Sequence, residues 1–167
     1  MPSVTLSPVD FLFSDFSLEF ASTRRVLERY PDGKGSWRPH DRSRSLGELA
    51  THLADIVNRG TTILETESLE IGARKPVDSK DSSGELLAHF DAGVERLTAA
   101  LAGASYEMLE KPWAMTRGGA VFRAMPRRVA LRAVMMSHSV HHRAQLCVYY
   151  RLLDMPVPGV YGPSADD

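Results

Sequence analysis

The stretch Leu131-Arg-Ala-Val134-Met-Met-Ser-His138-Ser-Val-His141-His142-Arg143-Ala144-Gln145-Leu-Cys-Val-Tyr149 decides how this chain is read. At about 100° per residue, Leu131, Val134, His138, His142, Gln145 and Tyr149 fall in one narrow arc, the pattern of a long helix with one inward stripe. Pro126 suits the first helical position, and the Pro- and Gly-rich tail from Met155 cannot continue the helix, so it is expected to run to about Leu153. Half of the chain's six histidines lie within five residues of this helix. His138 and His142 are one turn apart, the geometry in which two imidazoles can share one metal ion.

Three further helices are expected upstream. Ser7-Pro8 can cap and open a first helix that reaches about Tyr30, with Phe13, Phe16, Phe20 and Leu27 on a buried face, before Pro31-Asp-Gly-Lys-Gly35 stops it. Ser45-Leu-Gly-Glu48 is a capping box for a second helix through about Leu64, with a core stripe of Leu46, Leu49, Leu53 and Ile56. Residues 71–81, with Gly72 and Pro76, read as a connection. Ser82-Ser-Gly-Glu85 then opens a third helix, in which Leu86, Phe90, Val94, Leu97 and Leu101 recur until about Gly103. A short helical turn is expected over Ser105–Leu109. Pro112, Gly118 and Gly119 break the pattern over Lys111–Arg123, an irregular turn or hairpin between Trp113 and Phe122. Four long amphipathic segments without convincing alternation imply an all-α protein: a four-helix bundle with a short irregular insert before the last helix, one domain over residues 1–167.

Composition narrows the functional classes. The formal charge is −1, from 20 basic and 21 acidic residues, so no global field draws the protein to nucleic acid or to an acidic membrane. The local basic group Arg24, Arg25, Arg29, Lys34, Arg38, Arg42 and Arg44 is interleaved with Glu28, Asp32 and Asp41, the composition of a solvated face. The lone Cys147 excludes an internal disulfide and suits a reducing compartment, hence a cytoplasmic expectation. The N-terminal residues lack the basic start and apolar run of a secretory signal, and no run has the length of a transmembrane helix, so a soluble protein is expected.

The polar groups on the inner faces call for partners, since a buried imidazole is costly without one. His52, on the second helix, can complete a three-imidazole site with His138 and His142. The bland reading is that these are hydrogen-bonded core or surface histidines, and a bare H-x-x-x-H pair does not decide between the two. His141 lies off the arc and reads as a flanking residue or a neighbour of the ligands. His40 and His89 read as solvent-facing. Asp55 follows His52 by three residues and can orient it, as carboxylates do for metal-bound imidazoles, although an exposed carboxylate is the simpler reading. Gln145, Trp37 and Tyr149 are candidates to line a substrate pocket, while Arg143 points away from the arc and is a candidate for an ion pair.

Taken together, Ser45-Leu-Gly-Glu-Leu-Ala-Thr-His52, His138-Ser-Val-His-His142-Arg-Ala-Gln145 and the ending Leu152-Leu-Asp-Met-Pro-Val-Pro-Gly-Val-Tyr-Gly-Pro-Ser164 resemble the DinB/YfiT-like family of metalloenzymes. Ala144 stands where many relatives have glycine. The resemblance implies a four-helix bundle with a three-histidine divalent-metal site, carried here by His52, His138 and His142, with zinc or nickel as the expected ion. It further implies a metal-dependent enzyme acting on a small-molecule electrophile, either a transferase using a low-molecular-weight thiol cosubstrate or a hydrolase. The alternative is a non-catalytic metal- or ligand-binding module of a stress response. A homodimer is expected in either case, with no nucleic-acid partner and no membrane association.

Overall fold

The computed structural model describes residues 7–72 and 78–166. Pro76 of the expected connection and the first six residues of the N-terminal segment lie outside the described residues. The first helical stretch is divided into α1 (Pro8–Leu12), capped by the Ser7 hydroxyl, and α2 (Phe16–Glu28). The division falls where Asp15 turns its carboxylate to Arg132, at 2.6 and 2.8 Å, and Arg132 lies over the Phe16 ring. The second stretch is α3 (Leu46–Ile56) followed after Val57 by α4 (Asn58–Glu65). Its capping box forms as the sequence predicts: the Glu48 N–H donates to Ser45 Oγ and the Ser45 N–H to the Glu48 carboxylate. Helix α5 (Ser83–Ala102) and the turn α6 (Tyr106–Glu110) follow within a residue or two of expectation.

The expectation of an all-α bundle is corrected by a three-stranded sheet. Strand β2 (Pro112–Arg117) pairs antiparallel with β3 (Ala120–Pro126) and parallel with β1 (Ser68–Glu70), so the fold is mixed α/β. The expected insert is therefore an ordered hairpin. Gly118 and Gly119, both at positive φ, form its two-residue turn, a conformation side chains disfavour. The Glu70 carboxylate ties β1 to this turn by accepting from the Thr116 hydroxyl at 2.6 Å and the Gly118 N–H at 2.5 Å. Alternation could not reveal these strands. Trp113 is the one fully buried residue of the hairpin, β3 is mostly exposed, and β1 has three residues.

The last helical stretch is also not one regular helix. It comprises α7 (Arg127–Ala130), a π-helical segment (Leu131–Met136) and α8 (Ser137–Leu152). Arg127, 4% exposed, fixes its start by donating to the carbonyls of Ile63 in the last turn of α4 and of Thr66 just after it, and by pairing with Glu67. The π segment winds in one residue more than α geometry would, which sets back the phase of everything after it by about 100°. Consequently the buried stripe of α8 is Ser139, Arg143, Leu146 and Tyr150, and not the expected His138, His142, Gln145 and Tyr149. Helix α3 packs against both α5 and α8, and α2 packs on the same two helices, enclosing a core of Leu27, Leu46, Leu49, Leu53, Leu86, Leu97 and Leu146. Among the described residues, no helix is long and apolar enough to cross a membrane.

Candidate metal centre

Because α8 enters with its phase set back, His138 and His142 sit on the edge of its buried stripe, facing α3 and half-buried. His52 meets them from α3, where the capping box and the buried residues Leu49, Leu53 and Ile56 fix the helix. Ligand-capable nitrogens of His52, His138 and His142 all lie within 4.8 Å of one another. The ring centroids are 5.2, 4.7 and 4.5 Å apart.

The hydrogen bonds define the tautomers. His142 Nδ1 lies 2.7 Å from the Gln145 amide oxygen, an acceptor, so Nδ1 carries the proton and Nε2 presents its lone pair. Arg59 Nη1 lies 2.8 Å from His138 Nδ1, and a guanidinium can only donate, so His138 carries its proton on Nε2. That N–H points at His142 Nε2, 2.7 Å away. A directional chain from Arg59 through His138 and His142 to Gln145 results, with both rings neutral.

Burial is the main cause keeping these rings uncharged. It pulls His52 down to about 3, helped by the positive charge of Arg44, and pulls His138 down to about 4, helped by Arg59. His142 is lowered for the same reason, with the Gln145 hydrogen bond opposing the shift. Neutral imidazoles are the form that binds divalent transition metals, so the donor set fits such an ion. Among the described residues no further His, Cys, Asp or Glu joins the group. Three protein ligands leave coordination positions for water or a substrate, unlike a closed structural site.

The other residues singled out in the sequence take distinct places. His141 is exposed and packs edge-on to His142 at 4.8 Å, outside the cluster. Asp55 is exposed and accepts from Asn58 at 3.0 Å, with His89 Nε2 at 3.1 Å. His89 is thus half-buried and paired, and does not simply face solvent. Trp37 packs edge-on to Tyr149 at 5.5 Å, and the Tyr149 hydroxyl donates to the Arg44 carbonyl. Arg143, 2% exposed, holds the predicted ion pair: it reaches the Glu19 carboxylate at 2.6 Å and the Thr23 hydroxyl. Tyr161 covers Arg143 and also bonds Glu19, so this part of the tail is seated on the α2 side of α8. Arg59 was not singled out in the sequence. It lies seven residues after His52, two turns along the same face, and that spacing is the signal that could have found it.

Comparison with known proteins adds the family. The DinB family model matches residues 7–167. No curated protein matches the chain. Among solved structures, a DinB-like protein from Bacillus cereus superposes with a TM-score of 0.70 at 22% identity, over 92% of this chain and 97% of that one. A DinB-like protein from Bacillus subtilis, YjoA, gives a TM-score of 0.67 at 20% identity, over 92% and 98%. At these identities the likeness is one of fold. The match of the family model over nearly the whole chain, together with the histidine motifs that the fold has drawn into one cluster, places this protein in the DinB family.

Proposed function

We propose that this protein is a divalent-metal-dependent enzyme that transfers a low-molecular-weight thiol to a small electrophilic substrate. The observation that carries the proposal is the convergence of His52, His138 and His142 within 4.8 Å with no further protein ligand among the described residues. A divalent ion held by three imidazoles supplies positive charge that lowers the pKa of a thiol or of water. The protein's own contribution is positional. Gln145 holds the His142 ring in the tautomer whose Nε2 presents a lone pair toward the cluster, and burial keeps all three rings uncharged. Asp55, the carboxylate nearest in sequence to His52, is occupied by Asn58 and His89. That favours a thiol, which can release its proton to solvent, over a hydrolysis that needs a general base. Zinc or nickel is the proposed ion, the cytoplasm the proposed location, and a homodimer the proposed assembly.

The test supplies metal-loaded protein with several cellular thiols and a generic electrophile. Metal-dependent consumption of thiol and electrophile, lost in His52→Ala, is the expected result. No turnover with any thiol, from protein that binds its ion fully, would leave a binding module or hydrolase in its place.

A further inference from the structure

In metalloproteins the ring nitrogen that does not ligate usually donates to a carboxylate or a carbonyl. At His138 that position is occupied by a donor, since Arg59 Nη1 sits 2.8 Å from Nδ1. Once Nε2 ligates an ion, a neutral imidazole must carry its proton on Nδ1, and two donors then face each other. The Arg59 contact and an occupied centre are therefore mutually exclusive. Arg59 is half-buried, its charge bears on His52, His138 and His142 alike, and the charge of Arg44 also reaches His52 and His142. Asp55 draws on Arg59 from the outer side, but its carboxylate is engaged by Asn58 and His89. A guanidinium displaced beside a divalent cation is stable where an anion stands between them.

We propose that Arg59 is the binding residue for an anionic group, a carboxylate or a phosphate, on the ligand that occupies the open side of the three-histidine centre. The planar fork of the guanidinium matches either group in a two-bond grip, and the ion's positive charge reinforces the choice. Ligand and ion would bind with positive coupling, because the ion breaks the Arg59–His138 hydrogen bond and frees the guanidinium. This rests on the metal reading above and narrows its substrate class: the thiol, or the electrophile, carries an anionic oxygen group.

The experiment measures binding of acetate and of inorganic phosphate by calorimetry to zinc-loaded and metal-free wild-type protein, Arg59→Ala and Arg59→Lys, with zinc content determined for each. Binding to the zinc-loaded wild type is expected to weaken at least tenfold in Arg59→Ala, to recover in part in Arg59→Lys, and to be weaker in the metal-free protein. Acetate alone assigns a carboxylate, and phosphate alone a phosphate ester. Equal affinity in wild type and Arg59→Ala at equal zinc content, or no binding of either anion, overturns the assignment. Neither anion carries a thiol, so Arg59-dependent binding without thiol turnover sinks the transferase reading and leaves this one standing. Turnover with Arg59-independent binding does the reverse.

Discussion

His138 Nε2 and His142 Nε2 lie 2.7 Å apart on successive turns of α8. Two ring nitrogens come that close by sharing a proton, as here, or a cation, and His52 lies near enough to join them as a third ligand. Protein prepared without a metal-affinity tag is expected to hold about one divalent ion per chain, the stoichiometry of a single three-ligand site. His52→Ala, His138→Ala and His142→Ala should each lose most of it by elemental analysis. Full metal content in the first two would show that the cluster is a hydrogen-bonded network only.

Gln145 touches no ion in this arrangement, yet it fixes the His142 ring. Groups in that position typically set metal affinity by about 10–100-fold. Gln145→Ala should weaken the ion to that extent in competition with a chelator, while circular dichroism shows an unchanged fold, since the residue is exposed.

The lowered histidines make the metal-free protein sensitive to acid in a defined direction. A folded-state pKa below the unfolded value near 6.5 means that the unfolded chain takes up protons first as the pH falls. Stability is therefore fully present above about 6.5 and declines as the pH drops toward the folded values, about 4 for His138 and about 3 for His52. Denaturation midpoints of the metal-free protein should be level between pH 7 and 8 and fall between pH 6 and 4. His52→Gln should flatten that fall; an unchanged slope would mean that another group governs it.

Arg143 belongs to the histidine motif in sequence but to the core in space. Its guanidinium is buried against Glu19, Thr23 and Tyr161. Removing one partner of a buried pair strands the other charge, at a cost of about 3–5 kcal/mol. Glu19→Ala should show a loss of that size in chemical denaturation, and the folded fraction should keep its full metal content. A Glu19→Ala protein of normal stability but impaired metal binding would assign Arg143 to the centre after all.

Which of these features could be read from the sequence follows from the range of the forces involved. Helix starts at Ser45 and Ser82 were legible because capping is settled within four residues. The grouping of His52 with His138 and His142 was legible because one-turn spacing and an apolar face point to a shared interior. The sheet was not, because β1 is three residues long and gains its partner 46 positions away, at Ser68↔Ala114. Nor was the exact inward face of α8, since a period of 3.6 was assumed through Leu131–Met136, where the winding departs from it. Arg59 carried only its spacing from His52 in the sequence, and its partner His138 is brought to it by tertiary packing.

The π segment makes the winding before α8 the variable that orients the two histidines this helix brings to the centre. With regular winding from Arg127 onward, His138 and His142 would occupy the middle of the buried stripe, where Ser139 and Arg143 now lie. A deletion of one residue between Leu131 and Met136 would remove the extra residue and its extra winding together and leave the histidines facing as they do, whereas regular winding at unchanged length would turn them into the core. The bearing of His138 and His142 toward His52 is thus set by how six residues upstream are wound, a frame within the helix that lies outside the site itself.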